Sequence, residues 1–76
     1  MQVEPVKQQS GINSLEIGKP ISLIYNDNRK DPVVYYCYPK GEKVVITWKT
    51  EESTESTEYP FDTVIRYIKE GLWKVI

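Results

Sequence analysis

Apolar and polar positions alternate with a period of two before residue 50 and take a helical period after residue 60, with a long polar stretch between. After Pro20, Ile21, Leu23 and Tyr25 interleave with Ser22 and Asn26, with Ile24 as the exception. That period predicts a strand with one face inward. Asn26-Asp27-Asn28-Arg29-Lys30-Asp31-Pro32 is dense in turn formers and predicts an exposed loop. Residues 33–38 and 43–49 read as two further strands joined by Pro39-Lys40-Gly41, with proline early in the turn and glycine at its left-handed position. A three-residue loop of this kind sets Tyr38 opposite Glu42. Counting back then pairs Cys37 with Lys43, Tyr36 with Val44, Tyr35 with Val45 and Val34 with Ile46. One face collects Val34, Tyr36, Val44, Ile46 and Trp48; the other collects Val33, Tyr35, Cys37, Lys43, Val45, Thr47 and Lys49. The first set is the more apolar and is assigned to the core. A slip of one residue would exchange the faces.

Residues 50–58 contain no apolar side chain and predict a solvated loop, with ragged strand extensions at its ends. Pro60 suits a helix start, because the N–H it lacks is not needed in the first turn. Phe61, Val64, Ile65 and Ile68 recur at helical spacing, while Asp62, Arg66 and Lys69 face away. Asp62 near the start and Lys69 near the end both suit the helix dipole. Gly71 is a terminator after which Leu72 can fold back on Tyr67. A short strand over 73–76 follows, with Trp73 and Val75 inward and Lys74 outside. Residues 1–14 are mostly polar and read as a flexible tail; the alternative is an edge strand over 3–6, which Pro5 disfavours. The expectation is one α+β domain over 15–76. It has a small, mainly antiparallel sheet in the order β-β-β-α-β, an optional extra N-terminal strand, and one helix on one face.

Composition narrows the chemistry. A chain of 76 residues buries roughly two-thirds of its unfolded surface, a modest core. With one cysteine and no histidine it can form neither an internal disulfide nor a Cys/His zinc site. The commonest general base near neutral pH is missing as well. Cys37, between two tyrosines in a strand, lacks an imidazole partner that would activate it, so it reads as a packed side chain. Gly11, Gly18, Gly41 and Gly71 stand singly and make no phosphate loop. Glu51 and Glu52 are adjacent carboxylates in a loop too mobile for preorganisation. Neither catalysis nor a bound metal or cofactor is expected. No stretch is long and apolar enough to span a membrane, and no apolar signal region follows Met1, so a soluble, cytoplasmic protein is expected. The net charge of −1 argues against both a generally cationic nucleic-acid binder and an acidic DNA mimic.

Binding remains, and two surfaces are candidates. One is the acidic stretch with Glu51, Glu52, Glu55 and Glu58, whose charges could line one helical side and present a phosphate-like array to a basic partner. A solvated linker explains it as well, and in a meander Arg29 and Lys30 lie at the same end and dilute its field. The other is the outer sheet face with Tyr35, Lys43, Val45, Thr47 and Lys49. Aromatics beside lysines on an open sheet can stack single-stranded bases, or a second subunit can cover them.

Tyr67-Ile68-Lys69-Glu70-Gly71-Leu72-Trp73-Lys74-Val75 resembles the helix–glycine–tryptophan–strand ending of many short phage-encoded proteins. The resemblance implies an accessory factor that binds a host protein and inhibits or redirects it, acting in the host cytoplasm. It transfers no functional residue. The absence of alanine beside plentiful Ile, Lys, Tyr and Asn points the same way, to A/T-rich codons of a low-GC bacterium or its phage. The expected function is thus non-enzymatic binding of a host protein, with a homodimer as a further partner. The alternatives are a single-stranded nucleic-acid binder and a nucleotide sponge at a dimer interface, using Arg29, Lys30 or Arg66.

Overall fold

The computed structural model describes residues 4–76, with side chains from Lys7 onward. The elements are α1 (Glu4–Glu16), β1 (Ile21–Tyr25), β2 (Tyr35–Lys40), β3 (Lys43–Lys49), β4 (Thr54–Pro60), α2 (Phe61–Lys69) and β5 (Trp73–Val75). The five strands form one antiparallel sheet in the order β4-β3-β2-β1-β5. Both helices pack on one face, and one core joins Ile12 and Leu15 of α1 to Val64 and Ile68 of α2 over Leu23, Cys37, Val44, Ile46, Trp73 and Val75. The class is α+β, as expected. The body is only 17 Å deep in its thinnest direction, one sheet and one helical layer.

The C-terminal block follows the sequence closely. Pro60 immediately precedes α2 and makes no capping bond, Asp62 lies in the helix's first turn and Lys69 in its last. Val64 and Ile68 are buried, and Phe61 and Ile65 are partly so. After the helix, Leu72 N–H donates to Tyr67 O at 3.1 Å and Gly71 N–H to Ile68 O at 3.1 Å, the paired bonds of a Schellman motif. The motif turns the chain into β5 with Trp73 and Val75 inward. The short last strand pairs with β1, at the opposite side of the sheet from β4.

Three expectations need correction. Residues 4–16 are helix, neither tail nor strand; of the strand proposed over 3–6, residue 3 lies outside the described residues. No broad apolar stripe marks α1, because its docking uses few apolar groups. Ile12 and Leu15 enter the core, and Gly11 is buried so close to Val75 that a Cβ there would lie 2.7 Å from Val75 Cγ2. The Gln8 amide adds the remaining hold. Its Oε1 accepts from Val75 N–H at 2.7 Å, and its Nε2 donates to Ile68 O and to Trp73 O, each at 2.8 Å. These bonds satisfy outward groups of β5 much as a neighbouring strand would.

Most of the supposed acidic loop is strand. β4 pairs with β3 from Thr54 opposite Lys49 to Pro60 opposite Lys43. Only residues 50–53 turn, held by Thr50, whose N–H donates to Ser53 O at 2.8 Å and whose Oγ1 accepts from the N–H groups of Glu52 and Ser53. Glu55 and Glu58 therefore cannot share a helical side; strand alternation puts them on opposite faces.

The β2–β3 hairpin has a different register. Lys40 pairs with Lys43, Tyr38 with Val45, Cys37 with Ile46 and Tyr36 with Thr47. The loop is the two residues Gly41-Glu42, with glycine at φ 65 in the first central position, as a type II′ turn requires. Against the expected pairing the offset is odd, so β2 is flipped while β3 keeps its face. Val44, Ile46 and Trp48 point inward as expected. Tyr35 and Cys37 join them, and Tyr36 points out.

Candidate functional site

The register decides what the uncovered sheet face displays. Strand alternation places Ser22 and Ile24 of β1, Tyr36, Tyr38 and Lys40 of β2, and Lys43, Val45, Thr47 and Lys49 of β3 on it, together with Lys74 of β5. β4 adds Thr54, Ser56 and Glu58. Among the described residues, no element covers this face. Tyr36 and Tyr38, on the central strand, are 51% and 43% exposed. Lys40, Lys43 and Lys49 against Glu58 give three positive charges and one negative, a local balance of +2 within a chain of net charge −1. One of the lysines, Lys43, lies 3.8 Å from Glu58, an exposed pair that neutralises little.

Of the eight candidate residues from the sequence, Lys43, Val45, Thr47 and Lys49 share this face as expected. Tyr35 does not. It lies under the helical layer's side of the sheet, and Tyr36 and Tyr38 hold the outer positions instead. Glu51 and Glu52 sit in the exposed turn, and Glu55 is in β4 opposite Trp48, on the inner side. Sequence reasoning missed Tyr36 and Tyr38 because a single register decision controlled both.

The inner side has a second feature that no motif announced. Near the strand ends that carry the loops 26–34 and 50–53, the helices leave part of the sheet uncovered. Tyr25, Tyr35, Trp48, Tyr59 and Trp73 ring a cavity of about 100 Å³ whose floor is Leu23, Ile46 and Thr57. The rings form an arc. Trp48 and Tyr35 have centroids 5.2 Å apart, Tyr35 and Tyr25 5.4 Å, Tyr25 and Trp73 6.3 Å, and Trp73 and Tyr59 5.4 Å. Tyr67, in the last turn of α2, backs Trp73 at 5.0 Å.

Charge and reactivity elsewhere are quiet. Cys37 is fully buried, and burial pushes its thiol up to about 12, so it is not a thiolate at neutral pH. Arg29 bonds Asp27, with Nη2 2.7 Å from Oδ2, and this hydrogen bond holds the carboxyl below its ordinary value. Arg66, on α2, lies far along the chain from that pair and 5.6 Å above the Tyr67 ring. Among the described residues, no three His, Cys, Asp or Glu side chains converge on a metal-sized space, and no buried side-chain N or O lacks a partner. No helix of the described residues is long and apolar enough to cross a membrane.

Comparison with known proteins adds no assignment: no family model matches the chain, and no curated protein or solved structure shows significant similarity to it.

Proposed function

We propose that this is a non-enzymatic binding protein that engages an acidic surface of a partner protein through its uncovered sheet face. It is the kind of small phage or bacterial accessory factor that inhibits or redirects a host protein. One observation carries the reading. Two exposed tyrosines stand on the central strand of the sheet, bordered by half-buried Val45 and Thr47 and by four lysines. Tyrosine is enriched among the few residues that dominate protein interfaces, because it covers much area with little rotamer entropy to lose. The surrounding lysines supply steering and register toward a negatively charged patch. A second copy of the chain fits this face less well, since it would bring the same lysines together.

The positive face also supports single-stranded nucleic acid as a second reading, with Tyr36 and Tyr38 as stacking rings and the lysines on phosphates. Affinity capture from host lysate with the native chain and with Tyr36→Ala/Tyr38→Ala separates the readings. A protein retained by the native chain and lost from the double variant supports the first. Oligonucleotide binding that weakens steeply with salt, with no retained protein, supports the second. Identical capture by both chains would remove this face from the function.

A further inference from the structure

The aromatic arc on the opposite side of the sheet suits a different ligand, and its case does not depend on the function proposed above. We infer that the cavity bounded by Tyr25, Tyr35, Trp48, Tyr59 and Trp73 is a binding site for an alkylated ammonium group.

Three observations support this, beginning with shape. A cavity of about 100 Å³ is too small for a nucleobase or an indole. For scale, apolar cavities of about 150 Å³ accommodate benzene and one water takes about 30 Å³ of liquid. A headgroup of a few heavy atoms fits. The second is chemistry. Five aromatic rings bound the space above Leu23, Ile46 and Thr57, and no charged side chain lines it. Such a lining attracts a diffuse cation whose hydration is weak, which is how aromatic cages hold quaternary ammonium groups.

The third is the sign of the surroundings. The two loops at this end, with the adjoining strand ends, carry Asp27, Asp31, Glu51, Glu52 and Glu55 against Arg29, Lys30 and Lys49, five negative charges to three positive. Glu55, opposite Trp48 and two residues before the floor residue Thr57, is on the same face outside the lining, and its Oε2 accepts from Ser53 Oγ at 2.7 Å. The last turn of α2 lies behind Trp73 through Tyr67, and there Arg66 and Lys69 offset the negative end of the helix dipole. The excess of carboxylates in the two loops favours a cation over an anion. The lysine-rich charge is on the other side of the sheet, so the two faces have opposite preferences.

Both tryptophans of the chain line the cavity, so intrinsic fluorescence and the two indole N–H resonances report occupancy directly. The test titrates native protein with tetramethylammonium and with choline, using 3,3-dimethyl-1-butanol as the uncharged isostere of choline. A saturable shift of both indole signals is expected, with the isostere binding about tenfold more weakly than choline. Tyr25→Leu keeps apolar volume at the mouth but removes the ring, and should lose most of the response while the fold, followed by circular dichroism, is retained. Glu55→Gln provides a second variant remote from the core and should weaken the cations without affecting the alcohol. A peptide bearing trimethyllysine, beside its unmethylated form, identifies the source: tighter binding than choline assigns the site to a protein side chain, and weaker binding assigns it to a free small molecule. No saturable response to either cation, or equal affinity for choline and its neutral isostere, would overturn the inference.

Discussion

The two edges of the sheet are protected by opposite means. β5 is three residues long and apolar toward the core, and its outward groups Trp73 O and Val75 N–H are bonded by the Gln8 amide of α1. β4 is seven residues long, is exposed from Thr54 to Glu58, and has no neighbour beyond it among the described residues. Exposed strand edges recruit other chains unless they are short, covered or polar. Here one edge is short and covered, and the other is long but consists almost entirely of Ser, Thr and Glu with a terminal proline. The covered edge is integrated into the core, so the fold depends on it. The polar edge hangs from β3 by backbone pairing, so its side chains are largely free to change.

That contrast can be broken experimentally, and the largest effect belongs to the covered edge. Trp73 is buried against Tyr59 and Tyr67, and Trp73→Ala should cost about 3–5 kcal/mol, enough to unfold much of so small a domain in a urea melt. Gln8→Ala comes next. It leaves Val75 N–H without its partner and should cost about 1–3 kcal/mol, with faster amide exchange confined to β5 and the end of α2. At the polar edge Glu58→Gln removes only an exposed pair to Lys43 and should change stability by under about 1 kcal/mol in the same melt. If Glu58→Gln proved as damaging as Gln8→Ala, the two edges would not differ as described.

At Cys37 in the central strand no reaction is expected at neutral pH. Cys37 lies at the core of β2 and should resist an aromatic disulfide reagent until the protein unfolds. Its folded pKa is raised to about 12 from 9.0, so the unfolded chain loses its proton first. Its contribution is complete below pH 9 and falls as pH rises toward about 12, which denaturant melts across that range should reveal as alkaline destabilisation.

The same contrast explains what could be read from the sequence. The C-terminal block was legible because three signals coincide: Pro60 at the start, apolar spacing through Ile68, and Gly71 at the stop. β4 was illegible because its strand character comes from β-branched threonines and from pairing to β3, and six of its seven residues are exposed. α1 was illegible because a polar side chain and a glycine make contacts usually made by apolar residues. The candidate site fared in between. The β3 half of the outer face was correct, but Tyr35 was exchanged with Tyr36 by one turn, since Gly41 opens a two-residue loop instead of closing a three-residue one. The aromatic pocket draws on all five strands, and no local pattern brings Tyr25, Trp48 and Trp73 together.

The Gln8 contacts also constrain how the chain is made. Gln8 reaches Val75 across 67 positions, so α1 has no docking site until almost all of the domain has been synthesised. At about 5–20 residues per second that interval is roughly 3–13 s, long compared with the formation of any helix or hairpin in it. α1 can form early but then waits for its partner, so β5 and the cover for its own edge come together in one late step.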